Sequence, residues 1–342
     1  MPADLPRTWR RVVLCMVAAT VALTVTACSD DGQRLTIYSG RTEDLIGPLL
    51  EQYAEDTGTG IDVRYGDSAD LALLIDQEGG RSPADVFVSQ SPGALGYLAG
   101  GGRLQPLPED VLGLVPERFE SDAGDWVGLS GRVRVLVYNT ELVDESDLPA
   151  SVFDLTDPQF ADEVGVAPTN GSFQDFVTAM REQVGDDKTS AWLSGLADGG
   201  ARTYPNNVSI VEAVGRGEIR YGLVNHYYNE RAKQEDPSVP SENYFFPDRD
   251  LGGLILVTGA GILDTADDDA TAADFVEYLL SDTAQHYFAE ETFEYPLVDG
   301  IDPVGGQPPL ESIPSPEENL SRLGAELATT REMVDASGLA AG

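Results

Sequence analysis

Between Leu35 and Val88 the apolar residues fall alternately into short runs and helical stripes. Leu35-Thr36-Ile37-Tyr38 reads as a strand, closed by Ser39-Gly40. Leu45, Ile46, Leu49, Leu50 and Tyr53 then share one face of a helix predicted over 43–54. Gly58-Thr59-Gly60 breaks it, and residues 61–65 form the next strand. A helix over 69–78 ends at Gly79-Gly80, and 84–88 is a third strand. This alternation implies a parallel sheet with right-handed crossovers. In such sheets ligands sit beyond the carboxyl ends of the strands. Here those ends are residues 38–42 and 89–91.

Further on, residues 132–138 form a strand with no turn residue, long enough to cross from one lobe to another. A strand over 164–167 follows, then helices over 172–183, 189–196 and 209–214, and a strand over 219–224. Residues 253–257 and 260–262 look like the return crossing, 270–288 is one long amphipathic helix, and a tail helix covers 320–334. The chain therefore starts one α/β lobe, crosses to a second, returns, and ends on the second. Residues 35–133 and 254–301 are assigned to the first lobe, and 134–253 and 302–335 to the second. Two crossing strands make a hinge, and two facing lobes make a cleft that can close. A single large α/β sheet is the other arrangement this alternation allows.

The N-terminus carries Arg7, Arg10 and Arg11 before an apolar run over 12–25. A basic start, a short apolar stretch and small residues form the layout of a secretory signal. A spanning helix needs roughly 20 apolar residues; an N-terminal anchor helix is the alternative. The run ends in Val25-Thr26-Ala27-Cys28, which resembles a bacterial lipobox. Residues 1–27 are then a lipoprotein signal peptide, Cys28 the lipidated first residue of the mature protein, and 28–34 a tether. Two or more acyl chains suffice for stable anchoring. The expected location is extracytoplasmic, with the lipid as the only membrane contact. Cys15 lies in the leader, so the mature body has no free thiol and no disulfide.

About 315 residues follow the leader, an ordinary size for two lobes and enough to bury a core without disulfides. The formal charge of −38 argues against nucleic acid or an anionic lipid surface as partner. It favours cationic ligands through a long-range field, or equally reflects genome bias or salt adaptation. A monomer is expected.

Catalytic machinery is sparse. His226 and His286 are the only histidines, and no nucleophile-elbow, zinc-protease or phosphate-loop motif occurs. His286 is read as a surface or boundary residue. The acidic residues allow a carboxylate pair, and with it a surface-tethered hydrolase, but no motif places one. Binding without catalysis is the stronger reading. The informative stretch is Tyr221-Gly222-Leu223-Val224-Asn225-His226-Tyr227-Tyr228-Asn229. Neighbouring tyrosines are expected to converge only from irregular backbone after the strand. Phenolates are hard oxygen donors suited to Fe3+, whose charge drives a phenol of pKa near 10 to ionise. Core or interface aromatics are the alternative.

Six stretches carry a resemblance: Ile37–Arg41, Pro83–Phe87, Gly131–Asn139, Val166–Phe173, Asn225–Tyr228 and Glu294–Leu297. In this order they resemble the periplasmic ferric-ion-binding proteins, within the two-lobed substrate-binding proteins of ABC importers, from about Leu35 to Leu297. The resemblance implies the two-lobed α/β periplasmic-binding-protein fold, with Tyr227 and Tyr228 as phenolate ligands of ferric iron. It implies a synergistic anion, phosphate or carbonate, at Asn170, Gly171, Ser172, Asn207 and Asn225. It also implies an ABC permease and its ATPase as partners. Independently, the first three residues open a helix, where free N–H groups and the dipole favour an anion. Asn170 or Ser172 could equally be an ordinary cap.

The chain departs from the family pattern at three places. Thr42 stands where well-known members have a histidine, Gln90 where they have a glutamate, and Phe173 where some add a third tyrosine. Iron would lean on the anion, water, Gln90 and Thr42, with Glu43 and Tyr38 as fallback donors. The departures keep open the same importer role for another ligand: a polyamine, thiamine, sulfate or phosphonate.

Overall fold

The computed structural model describes residues 34–324 and 326–339; the predicted signal segment and Cys28 lie outside the described residues. The chain enters through β1 (Arg34–Ser39) and α1 (Glu43–Thr57), whose stripe of Leu45, Ile46, Leu49, Leu50 and Tyr53 is buried. Glu43 and Asp44 in the first turn complement the helix dipole. Gly58 ends the helix at φ 73°, a left-handed cap whose N–H returns to the Ala54 carbonyl. β2 (Gly60–Tyr65), α2 (Ser68–Glu78) and β3 (Val86–Ser89) repeat the unit. β1 pairs in parallel with both β2 and β3. The segments Ser39-Gly40-Arg41 and Ser89-Gln90-Ser91 therefore leave the sheet side by side. From that end α3 (Pro92–Gly100) starts at once, with Ser91 as N-cap and Pro92 in the first turn.

A single turn, α4 (Glu109–Leu112), precedes β4 (Val127–Asn139), which is buried along its whole length. Then come β5 (Val164–Val166), α5 (Gly171–Val184), α6 (Asp186–Asp198), β6 (Arg202–Thr203), α7 (Asn207–Gly215), β7 (Tyr221–Asn225), α8 (His226–Glu235), β8 (Ser241–Tyr244) and β9 (Ile255–Ile262). β4 changes partners midway. Its residues 127–133 pair antiparallel with β9, whereas 134–138 pair with β7 and 136–139 with β8. One strand thus belongs to two sheets, β2-β1-β3-β9-β4 and β4-β7-β5-β6. Each sheet carries its own helices, which gives the two-lobed α/β architecture.

Three elements differ from the sequence expectation. β9 is one continuous strand and lies in the first sheet along its length. The passage back is complete by Leu254, whose carbonyl accepts the Arg134 N–H at 2.8 Å. The long helix over 270–288 is two helices, α9 (Asp269–Leu279) and α10 (Asp282–Glu290). Ser281 adopts extended backbone and its hydroxyl caps the second helix at the Ala284 N–H, so a helix start replaces the expected continuation. After β10 (Tyr295–Pro296), the tail helix is α11 (Leu327–Ala336), and 320–322 form only a 3-10 turn. α11 rests on α5, where the Thr178 and Thr330 hydroxyls meet at 2.7 Å. The segment before it rests on α3: a Cβ on Gly324 would collide with the Gly96 backbone.

Candidate functional site

Tyr227 and Tyr228 occupy the first turn of α8, directly beyond β7. The expectation of irregular backbone is corrected here, because two long side chains leaving the open start of a helix can still lean together. Their ring centroids lie 4.1 Å apart with planes tilted by 30°. Gln90 Nε2, from the end of β3, donates to the phenol oxygen of Tyr227 at 3.2 Å and of Tyr228 at 3.3 Å. Side chains from the two sheets therefore meet at one point. With the NH2 group towards the phenols, Gln90 acts as a hydrogen-bond donor; a metal would require its Oε1 instead. Thr42 is exposed at the N-cap of α1, makes no capping bond, and joins neither phenol. Among the described residues, no group of three or more His, Cys, Asp or Glu could hold a metal ion. Phenols are thus the hard donors that the site offers.

His226 anchors the tyrosine turn. Its Nδ1 accepts the Val133 N–H at 3.1 Å, and the partner of its Nε2 is the Phe293 carbonyl at 2.9 Å. A carbonyl only accepts, so Nε2 carries the proton. Burial pulls the imidazole down to about 4, which keeps it neutral. His286 lies at the surface, 3.2 Å from Glu290.

Behind the phenols lie buried charges that the sequence reading did not assign. Arg41 and Glu294 form a fully buried two-pronged pair at 2.6 and 2.7 Å, and Arg41 also donates to Thr258 Oγ1 at 3.0 Å. The Arg41 guanidinium is 6.0 Å from the Tyr227 ring centroid. Burial, then the neighbouring Tyr228, raises the Tyr227 phenol well above its ordinary value, with Arg41 pulling the other way. Tyr227 therefore stays protonated at neutral pH. Arg132 and Arg134 are buried on β4, and burial together with Arg132 lowers the Arg134 guanidinium to about 9. Arg134 Nε and Arg132 Nε and Nη1 have no hydrogen-bond partner among the described residues.

Three anion candidates fall on one hydrogen-bond chain. Arg134 Nη1 donates to Asn225 Oδ1 at 3.3 Å, and Asn225 Nδ2 to Ser172 Oγ at 3.3 Å. Ser172 Oγ in turn donates to Asn170 Oδ1 at 2.6 Å. Asn170 is also the N-cap of α5, accepting the Ser172 N–H at 3.1 Å, and Gly171 is the first residue of that helix. Asn207 opens α7, while the cap is Asn206; the Asn207 Nδ2 is buried without a partner among the described residues. Phe173 points into the core of its lobe, against Phe176 and Trp192.

Of the missed residues, Arg41, Arg134 and Glu294 lie inside stretches that already stood out in the sequence. Asp175, buried on α5 with the Ser91 hydroxyl 2.8 and 2.7 Å from its two carboxylate oxygens, had no such signal.

Two α/β lobes that share a strand and meet through side chains at their strand ends define a two-lobed periplasmic substrate-binding protein. The family described as "Bacterial extracellular solute-binding protein" matches residues 81–322. The "Major ferric iron-binding protein" of Neisseria meningitidis is 31% identical over 317 residues, 92% of this chain and 96% of that protein. The structure of iron-bound HitA from Pseudomonas aeruginosa matches with a TM-score of 0.85 at 33% identity, over 90% of this chain and 99% of that one. A Trichodesmium protein (IdiA, FutA) in complex with iron and citrate matches with a TM-score of 0.77 at 28% identity, over 90% and 99%. The chain belongs to the periplasmic ferric-ion-binding protein family.

Proposed function

We propose that this chain captures ferric iron with a synergistic anion, phosphate or carbonate, and delivers it to an ABC permease driven by its ATPase. The observation that carries the reading is the meeting of the Tyr227 and Tyr228 hydroxyls at one point facing the opposite lobe. Fe3+ would bind as cargo between the two phenolates, and its charge would supply the ionisation that burial resists. Asn170, Gly171, Ser172, Asn207 and Asn225 would hold the anion. What supports the anion is charge. Around the phenols the buried guanidiniums of Arg41, Arg132 and Arg134 outnumber the buried carboxylates of Glu294 and Asp175. Adding Fe3+ and two phenolates leaves a positive excess, which a divalent anion would cancel; the unpartnered Asn207 amide and arginine N–H groups would donate to it. Gln90 and Thr42 would supply neutral oxygens from the first lobe, Gln90 after its amide turns.

In this reading residues 35–133 and 254–301 move as one lobe and 134–253 and 302–335 as the other, the change of partners along β4 being the hinge. Cys28 would carry the lipid, after removal of 1–27, and hold a monomeric body outside the cytoplasmic membrane. No chemical turnover belongs to this role. The test is the phenolate-to-iron charge-transfer band. Adding a ferric salt with phosphate or carbonate to the purified protein should produce a visible band, and Tyr227→Phe with Tyr228→Phe should abolish it. A band that survives the double substitution, or no band in the wild type, sinks the ferric assignment. A second reading, an oxyanion such as sulfate or a phosphonate as sole ligand, draws on the same buried arginines. Calorimetry with each anion in the absence of iron separates the two.

A further inference from the structure

Asp175 lies on α5 of the second lobe, yet its bonds run to the first. Ser91 Oγ, at the N-cap of α3, stands 2.8 and 2.7 Å from its two carboxylate oxygens. Ser91 and Asp175 are both buried. The Gly93 backbone lies close against the same carboxylate, and its N–H favours the charged form. The fit is close: a Cβ on Gly93 would collide with Asp175 Oδ1, and a Cβ on Gly171 would lie 3.7 Å from Ser91 Cβ. A carboxylate from one lobe thus sits on the first turn of a nine-residue helix in the other, where N–H groups and the dipole favour negative charge.

Nothing within the second lobe explains a buried carboxylate at this place on α5. Neighbouring Phe173, Phe176 and Val177 pack into the core, so an unpaired charge among them would be costly. The contact needs the two lobes together, and it is made entirely by protein atoms. It therefore acts whether or not a ligand is present, unlike the phenol pair. Other contacts also bridge the lobes, among them Gln90 to the phenols, the His226 imidazole between the Val133 N–H and the Phe293 carbonyl, Ser321 and Asn319 to Asp122, and Arg231 to Asp44 at 3.7 Å near the rim. Among these contacts between described residues, the Ser91–Asp175 bond is the one that carries a carboxylate and is buried on each side.

We propose that Ser91, Gly93 and Asp175 form an interlobe latch that stabilises the closed form and slows release of the captured ligand. The latch rests on the two-lobe hinge but not on the ligand's identity. A charge-assisted hydrogen bond of this kind shifts the closed-to-open ratio by about ten-fold or more. The experiment is small-angle X-ray scattering on the ligand-free mature protein, comparing wild type with Ser91→Ala, Asp175→Asn and Gly93→Ala. Ser91→Ala removes the donor, and Gly93→Ala blocks the approach while leaving every polar group in place. Circular dichroism checks that each variant is folded, and Ser91→Ala and Gly93→Ala carry the test should Asp175→Asn not fold. The expected result is a larger radius of gyration in each folded variant than in wild type. Equal radii in all of them overturn the latch, even if iron binds as proposed. If iron does bind, its transfer to excess chelator should be about ten-fold faster in each variant, and unchanged transfer overturns the effect on release. Absence of a charge-transfer band in wild type leaves the scattering test intact, so the two readings fail separately.

Discussion

Replacing Glu294 by Gln tests the buried charges behind the phenols. The substitution keeps the size and some hydrogen bonding of the side chain but removes the charge facing Arg41. In the native protein Glu294 accepts two bonds from Arg41 at 2.6 and 2.7 Å and one from Thr292 Oγ1 at 2.9 Å, all buried. Burial opposes ionisation of Glu294, but Arg41 and the other donors outweigh it and hold the carboxyl below its ordinary value. Gln at 294 strands the Arg41 guanidinium in the interior, and breaking one partner of such a pair costs about 3–5 kcal/mol. For a body of about 300 residues, an unfolding entropy of ~2.1 cal/mol/K per residue converts this into a loss of roughly 5–8 °C in melting temperature. Circular dichroism melts at neutral pH read it directly. The control is Arg41→Met with Glu294→Met, which removes both charges and should recover most of the loss, since apolar replacements of buried pairs are often neutral or stabilising. A loss below about 1 kcal/mol in Glu294→Gln, or a double variant less stable than the single, refutes the assignment of a tightly coupled pair.

Phe173→Tyr should not add an iron ligand, because this side chain packs against Phe176 and Trp192. It should cost about 1–3 kcal/mol in urea unfolding for a buried hydroxyl without a partner, and leave the charge-transfer band where it was. A shifted band would show that residue 173 reaches the site. In the tail, burial lifts the Glu318 carboxyl to about 7, with Glu182 adding to the rise. A folded-state pKa raised in this way contributes stability that is complete below the ordinary carboxylate value and lost as pH rises through about 7. Glu318→Gln should therefore melt increasingly above wild type as pH goes from 5 to 8; a difference independent of pH refutes it.

The local spacing of apolar residues determined the α/β class and most elements, because each strand and helix of the first lobe buries a face that its own sequence marks. Leu45, Ile46, Leu49, Leu50 and Tyr53 lie together on α1, where their spacing put them. The stretch around Tyr227-Tyr228 was legible for a related reason: two adjacent phenols after a strand are unusual whatever surrounds them. Boundaries set by a single capping residue were less visible. Ser281 splits what reads as one amphipathic helix, since the pattern on both sides is helical and only the backbone at one residue is not. Continuity of β9 was hidden because Thr258-Gly259 looks like a break; in the sheet Gly259 sits against Leu95 and the Val127 backbone, where a side chain would collide.

Tertiary structure alone decided who faces whom. Arg41 and Glu294 are 253 residues apart, and Ser91 and Asp175 are 84 apart, so no local pattern joins them. Burial then gives these groups their chemistry: it strengthens the paired charges, keeps His226 neutral and holds Tyr227 protonated. The sequence supplied the two phenols and the Asn170-Gly171-Ser172 helix start. Only the fold set Gln90 across from them and lined the space behind with arginines, because those relations come from two sheets meeting through the one strand they share.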